Sequence, residues 1–206
     1  MSKFLRVVLA SAVLALCNSA GAAVINGSIS TIDGDRDGKA NDAKVARVAF
    51  TVSAGTRLFF DSLVYEAVSD ANGDDRITGF DNAMMLFRGA TLLASNDDSA
   101  RTYADGSQYP YDSAFDWTFD QGGTYLVTLG MFRYSVEDAL RGYQAGRLYQ
   151  PLVGNEGFGA WRLTVSALDG SVSNVHEVGA DVPEPGTLAL FGAGLLGAGW
   201  LRRRRR

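Results

Sequence analysis

Cysteine occurs once in this 206-residue chain, as Cys17 directly after the N-terminal apolar run, so no pair exists from which to build a disulfide. Histidine also occurs once, as His176, in a polar stretch near the C-terminal linker. A Ser-His-Asp mechanism would have to recruit that one ring into a structured pocket, and its position argues against it. No phosphate-cradling glycine loop and no nucleophile elbow are present, which leaves nucleotide chemistry and α/β-hydrolase chemistry without their signatures. Long hydrophobic runs are missing too. The N-terminal one, Val7 to Leu16, falls well short of the about 20 residues that span a bilayer.

What precedes and follows that run makes it a signal peptide. Lys3 and Arg6 supply a cationic start, and Ala20-Gly21-Ala22-Ala23 supplies small residues in the A-x-A pattern read by signal peptidase. Cleavage after Ala22 and cleavage after Ala23 fit equally. Lipidation at Cys17 would need a small residue before it, and Leu16 is branched, so Cys17 goes with the discarded segment. The mature chain then contains no cysteine, although export delivers it to an oxidising compartment.

The C-terminus carries a more specific pattern. Val182-Pro183-Glu184-Pro185-Gly186 precedes an apolar Gly/Ala/Leu stretch, Thr187 to Leu201, with Trp200 at its end and Arg202 to Arg206 beyond. Two prolines so close together end regular structure and form an extended spacer. Five arginines hold the terminus on the cytoplasmic side. The apolar stretch, read as a single hydrophobic helix, is barely long enough to cross, which suits a temporary anchor. Residues 182–206 resemble the PEP-CTERM sorting signal. The resemblance implies recognition by an exosortase, a membrane cysteine protease that trims the tail near Pro183, Glu184 and Pro185. It also implies a cell that makes exopolysaccharide, a possible partner.

Between the signals lies about one ordinary domain, residues 24–181. Setting aside the cations Lys3, Arg6 and Arg202 to Arg206 leaves 12 of 19 basic residues, and setting aside Glu184 leaves 22 of 23 acidic ones. The domain therefore carries 12 − 22 = −10 against −4 for the whole chain, which disfavours nucleic acid and anionic lipid and favours cations. Apolar and polar residues alternate in part along 46–52. Residues 57–65, 83–87, 91–94, 114–119, 124–132 and 160–166 are rich in strand formers. Turn residues separate them at Arg88-Gly89, Asn96-Asp97-Asp98, Asp120 to Gly123 and Asp169-Gly170. One helix is expected over 135–141, with Ser135 as its N-cap. Trp117 and Trp161 are expected in the core. The pattern predicts an all-β, jelly-roll-like β-sandwich. Residues 44–167 are similar to bacterial pre-peptidase C-terminal (PPC-like) domains, through Gly79-Phe80-Asp81, Leu92 to Asp98, Tyr111 to Phe115, Gly123 to Thr128 and Gly159 to Leu163. That resemblance implies a non-catalytic accessory or binding sandwich; the stretch Asp70 to Arg76 departs from it as an insertion.

Two acidic loops carry candidate chemistry. Asp33, Asp35 and Asp37 form a D-x-D-x-D-G run, in which alternate carboxylates can converge on a hard cation such as calcium. Lys44 stands where an EF-hand places its bidentate acid, leaving Asn41, Asp42 or a remote carboxylate to complete the shell. In the second loop Asp70, Asn72, Asp74, Thr78 and Asp81 occupy the first, third, fifth, ninth and twelfth places of a loop resembling a dockerin-type half EF-hand. Asp75 replaces its turn glycine, and a strand follows rather than a helix. Asn96-Asp97-Asp98 is expected to cap a turn. The expected protein is a non-enzymatic, calcium-stiffened sandwich at the cell surface or in the extracellular matrix, its partners signal peptidase and exosortase. The alternatives are a secreted hydrolase of matrix glycan or peptide, and a sugar-binding module using Tyr103, Tyr109 and Tyr111.

Overall fold

The computed structural model describes residues 21–101 and 111–179. Eleven strands form two sheets whose ladders are all antiparallel: β1 (Ala22–Ile32), β2 (Asp42–Lys44), β3 (Ala46–Val52), β4 (Arg57–Leu63), β5 (Asn82–Arg88), β6 (Thr91–Asn96), β7 (Ala114–Thr118), β8 (Gly123–Met131), β9 (Tyr143–Gln144), β10 (Phe158–Asp169) and β11 (Val172–Glu177). One sheet has the order β7-β4-β10-β1-β2-β9 and the other β11-β3-β8-β5-β6. The chain passes repeatedly between sheets, so each crossing brings an apolar face back over the common core.

Phe50, Phe60, Phe119 and Tyr125 meet at that core with ring centroids 4.6–6.1 Å apart along the chain Phe60–Phe50–Phe119–Tyr125 and the Phe50–Tyr125 pair. Trp161 is fully buried, as expected, while Trp117 packs at the edge of the cluster, partly buried. The indole of Trp161 lies on Gly27, where an added Cβ would come within 2.3 Å of the ring. β5 reads as an unbroken apolar run for a physical reason. Met84 and Leu86 face the main core, while Ala83 and Phe87 face a second cluster with Val45, Tyr134 and Ala139. The helix α1 (Val136–Arg141) closes that second cluster. Its N-cap is Ser135, whose hydroxyl accepts from Asp138 N at 3.1 Å while the Asp138 carboxylate accepts from Ser135 N at 2.8 Å. Gly142 ends it in the left-handed conformation, φ +92°.

The expected strands and the helix are all present. β1, β2, β9 and β11 are additional. β1 begins at Ala22, inside the expected signal-cleavage window, and pairs Ala22 and Ala23 with Ser166 and Val165 of β10. Among the described residues no helix is long and apolar enough to cross a membrane, and the apolar stretch 187–201 lies outside them, as do residues 1–20.

Register sets the two ends of the sandwich apart. Ser30 pairs with Phe158, Arg162 with Leu63 and Asp61 with Ala114, so β1 and β4 finish where β10 and β7 begin. In the other sheet Ala46 pairs with Leu129, Asn82 with Met131 and Met84 with Asn96. Residues 33–41, 64–81, 97–101 and 132–157 therefore gather at one end. Among the described residues, the opposite end carries the start of β1 and the short turns 53–56, 89–90, 119–122 and 170–171.

Candidate metal-binding loops

Both acidic loops leave the same end of the sandwich, and each is organised around one buried carboxylate. In the first loop that group is Asp42, at the start of β2. Its Oδ2 accepts from Gly34 N at 2.9 Å and Asp35 N at 3.2 Å, and its Oδ1 accepts from Gly146 N at 2.9 Å. The Gly146 amide does most to hold the Asp42 carboxyl below its usual pKa, against the desolvation that pushes it up. Asp33, Asp35 and Asp37 each place a carboxylate oxygen within 4.8 Å of the others, all three exposed. Lys39 pairs with Asp37 at 3.2 Å and competes there with any metal ion for the carboxylate. Arg36 takes a left-handed backbone, φ 62°, so that the alternate aspartates can turn inward. Asp42 thus braces this loop from beneath and is not a member of the triad.

The second loop differs in one respect. Its buried carboxylate, Glu66, belongs to the cluster: Glu66, Asp70 and Asp74 each bring an oxygen within 4.8 Å of the others. Glu66 is 2% exposed. Its Oε1 accepts from Ala71 N and Asn72 N, both at 2.8 Å, and its Oε2 from Thr78 N at 3.3 Å. Asp70 accepts from Gly73 N (2.6 Å), Asp74 N (3.1 Å) and Asp75 N (2.8 Å). Desolvation is the largest single influence on Asp70 and raises its pKa, but these three amides together outweigh it and hold the carboxyl below its usual value. Asn72 Oδ1 accepts from Asp74 N at 3.0 Å. Asp75 adopts φ 65°, the left-handed turn that the missing glycine would have made. Among the described residues no basic side chain pairs with Asp70 or Asp74.

The donor set fits a calcium ion. Three carboxylates offer hard oxygens: Glu66 Oε1 and Asp70 Oδ1 each already take two amides, whereas Glu66 Oε2 and Asp70 Oδ2 take one each and keep a second lone-pair site. The expected set is altered in two places. The neck of the loop closes through the bridge Tyr65–Gly79, and Gly79 also bridges to Val153. Asp81 therefore lies past the neck, next to Asp97 and Asp98 instead of Asp70. Desolvation first, then the charges of Asp98 and Asp97, push its carboxyl up. Thr78 is buried, and its hydroxyl accepts from Ala160 N at 3.0 Å, away from the loop. Glu66 precedes the twelve-residue loop pattern and so is not part of it, yet an acid directly after the apolar run Leu63-Val64-Tyr65 is itself a signal of a buried, bonded carboxylate.

Other polar groups beneath the same end are structural. Asp112, fully buried, accepts at Oδ1 from Val64 N (2.8 Å) and Tyr65 N (3.1 Å). Asn82 Nδ2 donates to Ser62 Oγ at 3.0 Å, and Ser113 N donates to the same oxygen at 2.9 Å, tying the two sheets together. Asn96-Asp97-Asp98 caps a turn as expected, with Asp98 N donating to Asp97 Oδ1 at 3.0 Å and Asn96 Nδ2 to Asp98 O at 3.1 Å. His176 is on β11, its ring at 2.8 Å from the carbonyl of Asn174. Tyr111 is exposed and meets Tyr65 at 5.0 Å; Tyr103 and Tyr109 lie outside the described residues.

Comparison with known proteins identifies the tail. Residues 181–206 match the family model of the PEP-CTERM protein-sorting motif. The chain carries this motif and is an exported protein targeted to exosortase, with a membrane-anchored precursor. No curated protein matches the chain. Among solved structures, that of Aeromonas hydrophila PliG, a periplasmic lysozyme inhibitor of g-type lysozyme, overlaps 72% of this chain and 88% of its own at 13% identity and a TM-score of 0.35. Similarity that low carries no argument about what this domain does.

Proposed function

We propose that the mature protein is a non-catalytic, calcium-stabilised binding or structural β-sandwich that exosortase releases from its anchor to the cell surface or extracellular matrix. In this reading residues 1–23 are the signal peptide, 24–181 the PPC-like domain and 182–206 the sorting tail. Signal peptidase and exosortase act on the precursor, and exopolysaccharide is the surrounding partner. The observation that carries the calcium reading is Glu66, a buried carboxylate already ordered by three amides and sharing a cluster with Asp70 and Asp74. Calcium is favoured over magnesium because a carboxylate-rich, irregular loop suits flexible coordination, whereas magnesium holds its water and demands an octahedron.

Intact-mass analysis of the native protein, with and without a chelator, tests both halves. Two trimmed ends and a calcium-dependent mass are expected. Changing Pro183, Glu184 and Pro185 together to alanine should leave the precursor membrane-associated; release at the wild-type level would contradict the sorting half.

A further inference from the structure

The end that bears the acidic loops also bears an apolar face with no partner. Ile77, Leu148 and Leu152 are 40%, 55% and 54% exposed. Two loops hold this face together: Gly79 N donates to Val153 O at 3.1 Å and Leu152 N to Gly79 O at 2.8 Å. Between Leu152 and the start of β5 opens a cavity of about 160 Å³, walled by Met131, Phe132 and Gln150, with Asp81 and Arg147 beside them. A second cavity, of about 320 Å³, lies across Phe132 and contains Asp97.

The charges around this face are unbalanced. Among the described residues Asp81, Asp97 and Asp98 have no basic side chain within ion-pair distance. Two cations are near: Arg147, in the cavity wall, acts on Asp81 by its charge while its Nη1 donates to Arg133 O at 3.5 Å, and the Arg133 guanidinium lies over the Phe132 ring at 5.0 Å. Half-buried Asp81 is thus a carboxylate partly withdrawn from water beside apolar walls, in no direct ion pair, with Arg147 in the cavity wall offsetting only part of the charge of Asp81, Asp97 and Asp98. A cation carried on an aliphatic stem satisfies both features, the stem covering Leu152 and Phe132 and the head reaching the carboxylates. The surplus of acid over the whole domain would steer such a partner in.

We propose that the face formed by residues 77–81, 97–98 and 147–152 docks a basic segment of a partner protein, with a lysine or arginine side chain entering the cavity between Phe132 and Leu152 toward Asp81. The inference rests on the reading of the domain as a binding module, but not on calcium, because none of these carboxylates belongs to the Glu66 cluster.

The test uses the full chain in a non-ionic detergent and a fluorescent decapeptide of alternating lysine and leucine, with protein-free micelles as background. A glutamate-leucine decapeptide and decalysine serve as comparisons. Saturable binding of the lysine-leucine peptide is expected, at least tenfold tighter than either comparison. Asp81→Asn with Asp97→Asn should weaken it tenfold or more and Leu152→Ser threefold or more. Asp120→Asn with Asp169→Asn removes the same charge from the opposite end and should change it less than twofold. Equal losses in the two double variants, decalysine binding as tightly, or no binding would overturn the proposal. If the Asp81 variant does not fold, hydrogen exchange of the unaltered chain decides: peptide-induced protection at 77–81 and 147–152 supports the proposal, and protection elsewhere contradicts it. Loss of peptide binding with an intact calcium response would refute this inference alone.

Discussion

The two acidic loops are close in composition and leave the same end of one sandwich, yet they hold their carboxylates differently. In residues 33–41 the converging aspartates are all exposed, one is paired with Lys39, and the buried Asp42 only props the backbone. In residues 64–81 the buried acid is part of the cluster. A spacing of alternate acids therefore describes how carboxylates can converge, but not whether the convergence is anchored. The anchor comes from outside the repeat, from a side chain at core depth whose position is set before any ion arrives. Preorganisation of that kind lowers the ordering cost of binding.

The largest expected effect comes from removing each anchor. Glu66→Ala leaves the amides of Ala71, Asn72 and Thr78 without their acceptor in a mostly buried site, and should cost about 3 kcal/mol or more in denaturant unfolding. It should also abolish the response to calcium. Asp42→Ala removes a comparable number of bonds and should also destabilise the fold, but leave the calcium response of the second loop in place. Equal calcium responses in the two variants would erase the distinction between the loops.

Next in size is the dependence on pH. The Asp42 and Asp70 carboxyls are held below their ordinary value of 3.8, so the stability they contribute is present above that value and is lost as pH falls through their lower folded-state pKa. Asp81 and Asp98 have the opposite sign. Desolvation leads in raising both, so their burden is absent in acid, grows as pH rises past 3.8 and is complete above their raised folded-state pKa. Denaturant unfolding across a pH series should show Asp81→Asn gaining on the unaltered protein as pH rises from about 4, with the two alike in stronger acid. Asp42→Asn should lose ground in stronger acid, as pH rises from the lowered folded-state pKa toward 3.8, and keep a constant deficit above it. A gap for Asp81→Asn that narrows as pH rises would contradict the assignment.

The smallest effect is expected at the exposed triad. Asp33→Asn with Asp35→Asn touches solvated carboxylates, so stability in chelator should stay within about 0.5 kcal/mol per site. A larger loss would show that the first loop does more than turn the chain.

Much of the sandwich was legible because burial writes a period into the chain. Ala46 to Val52 matches β3 residue for residue, and the cap at Ser135 and the left-handed Gly142 bracket α1 where local chemistry requires. Strands of two or three residues carry no period, which hid β2 and β9. β11 is an edge strand with a register shift between Ser173 and His176, so its alternation is broken. β1 was hidden by position, since its first residues double as the small residues of the expected cleavage site. The candidate site was legible in part. Asp70, Asn72 and Asp74 lie on one turn of chain, so spacing finds them. Glu66 joins through a neck closed by Tyr65 and Gly79, and that same closure carries Asp81 away. Long-range pairing decides both, and no local motif encodes it.

The central claim is that the Glu66 loop, not the Asp33 loop, is the calcium site. Calorimetry of residues 24–182 in chelator and then in millimolar calcium tests it most directly, in the unaltered domain and in two double variants. At about 100 times the dissociation constant, binding adds roughly 2.7 kcal/mol, a rise of about 5–10 °C in Tm for a domain of this size. Asp70→Asn with Asp74→Asn should remove most of that rise, and Asp33→Asn with Asp35→Asn should keep it. Comparing the calcium-dependent shift within each variant cancels any baseline gain from relieved repulsion. An unchanged Tm in the unaltered domain, or loss of the shift in the Asp33 and Asp35 variant alone, would contradict the account.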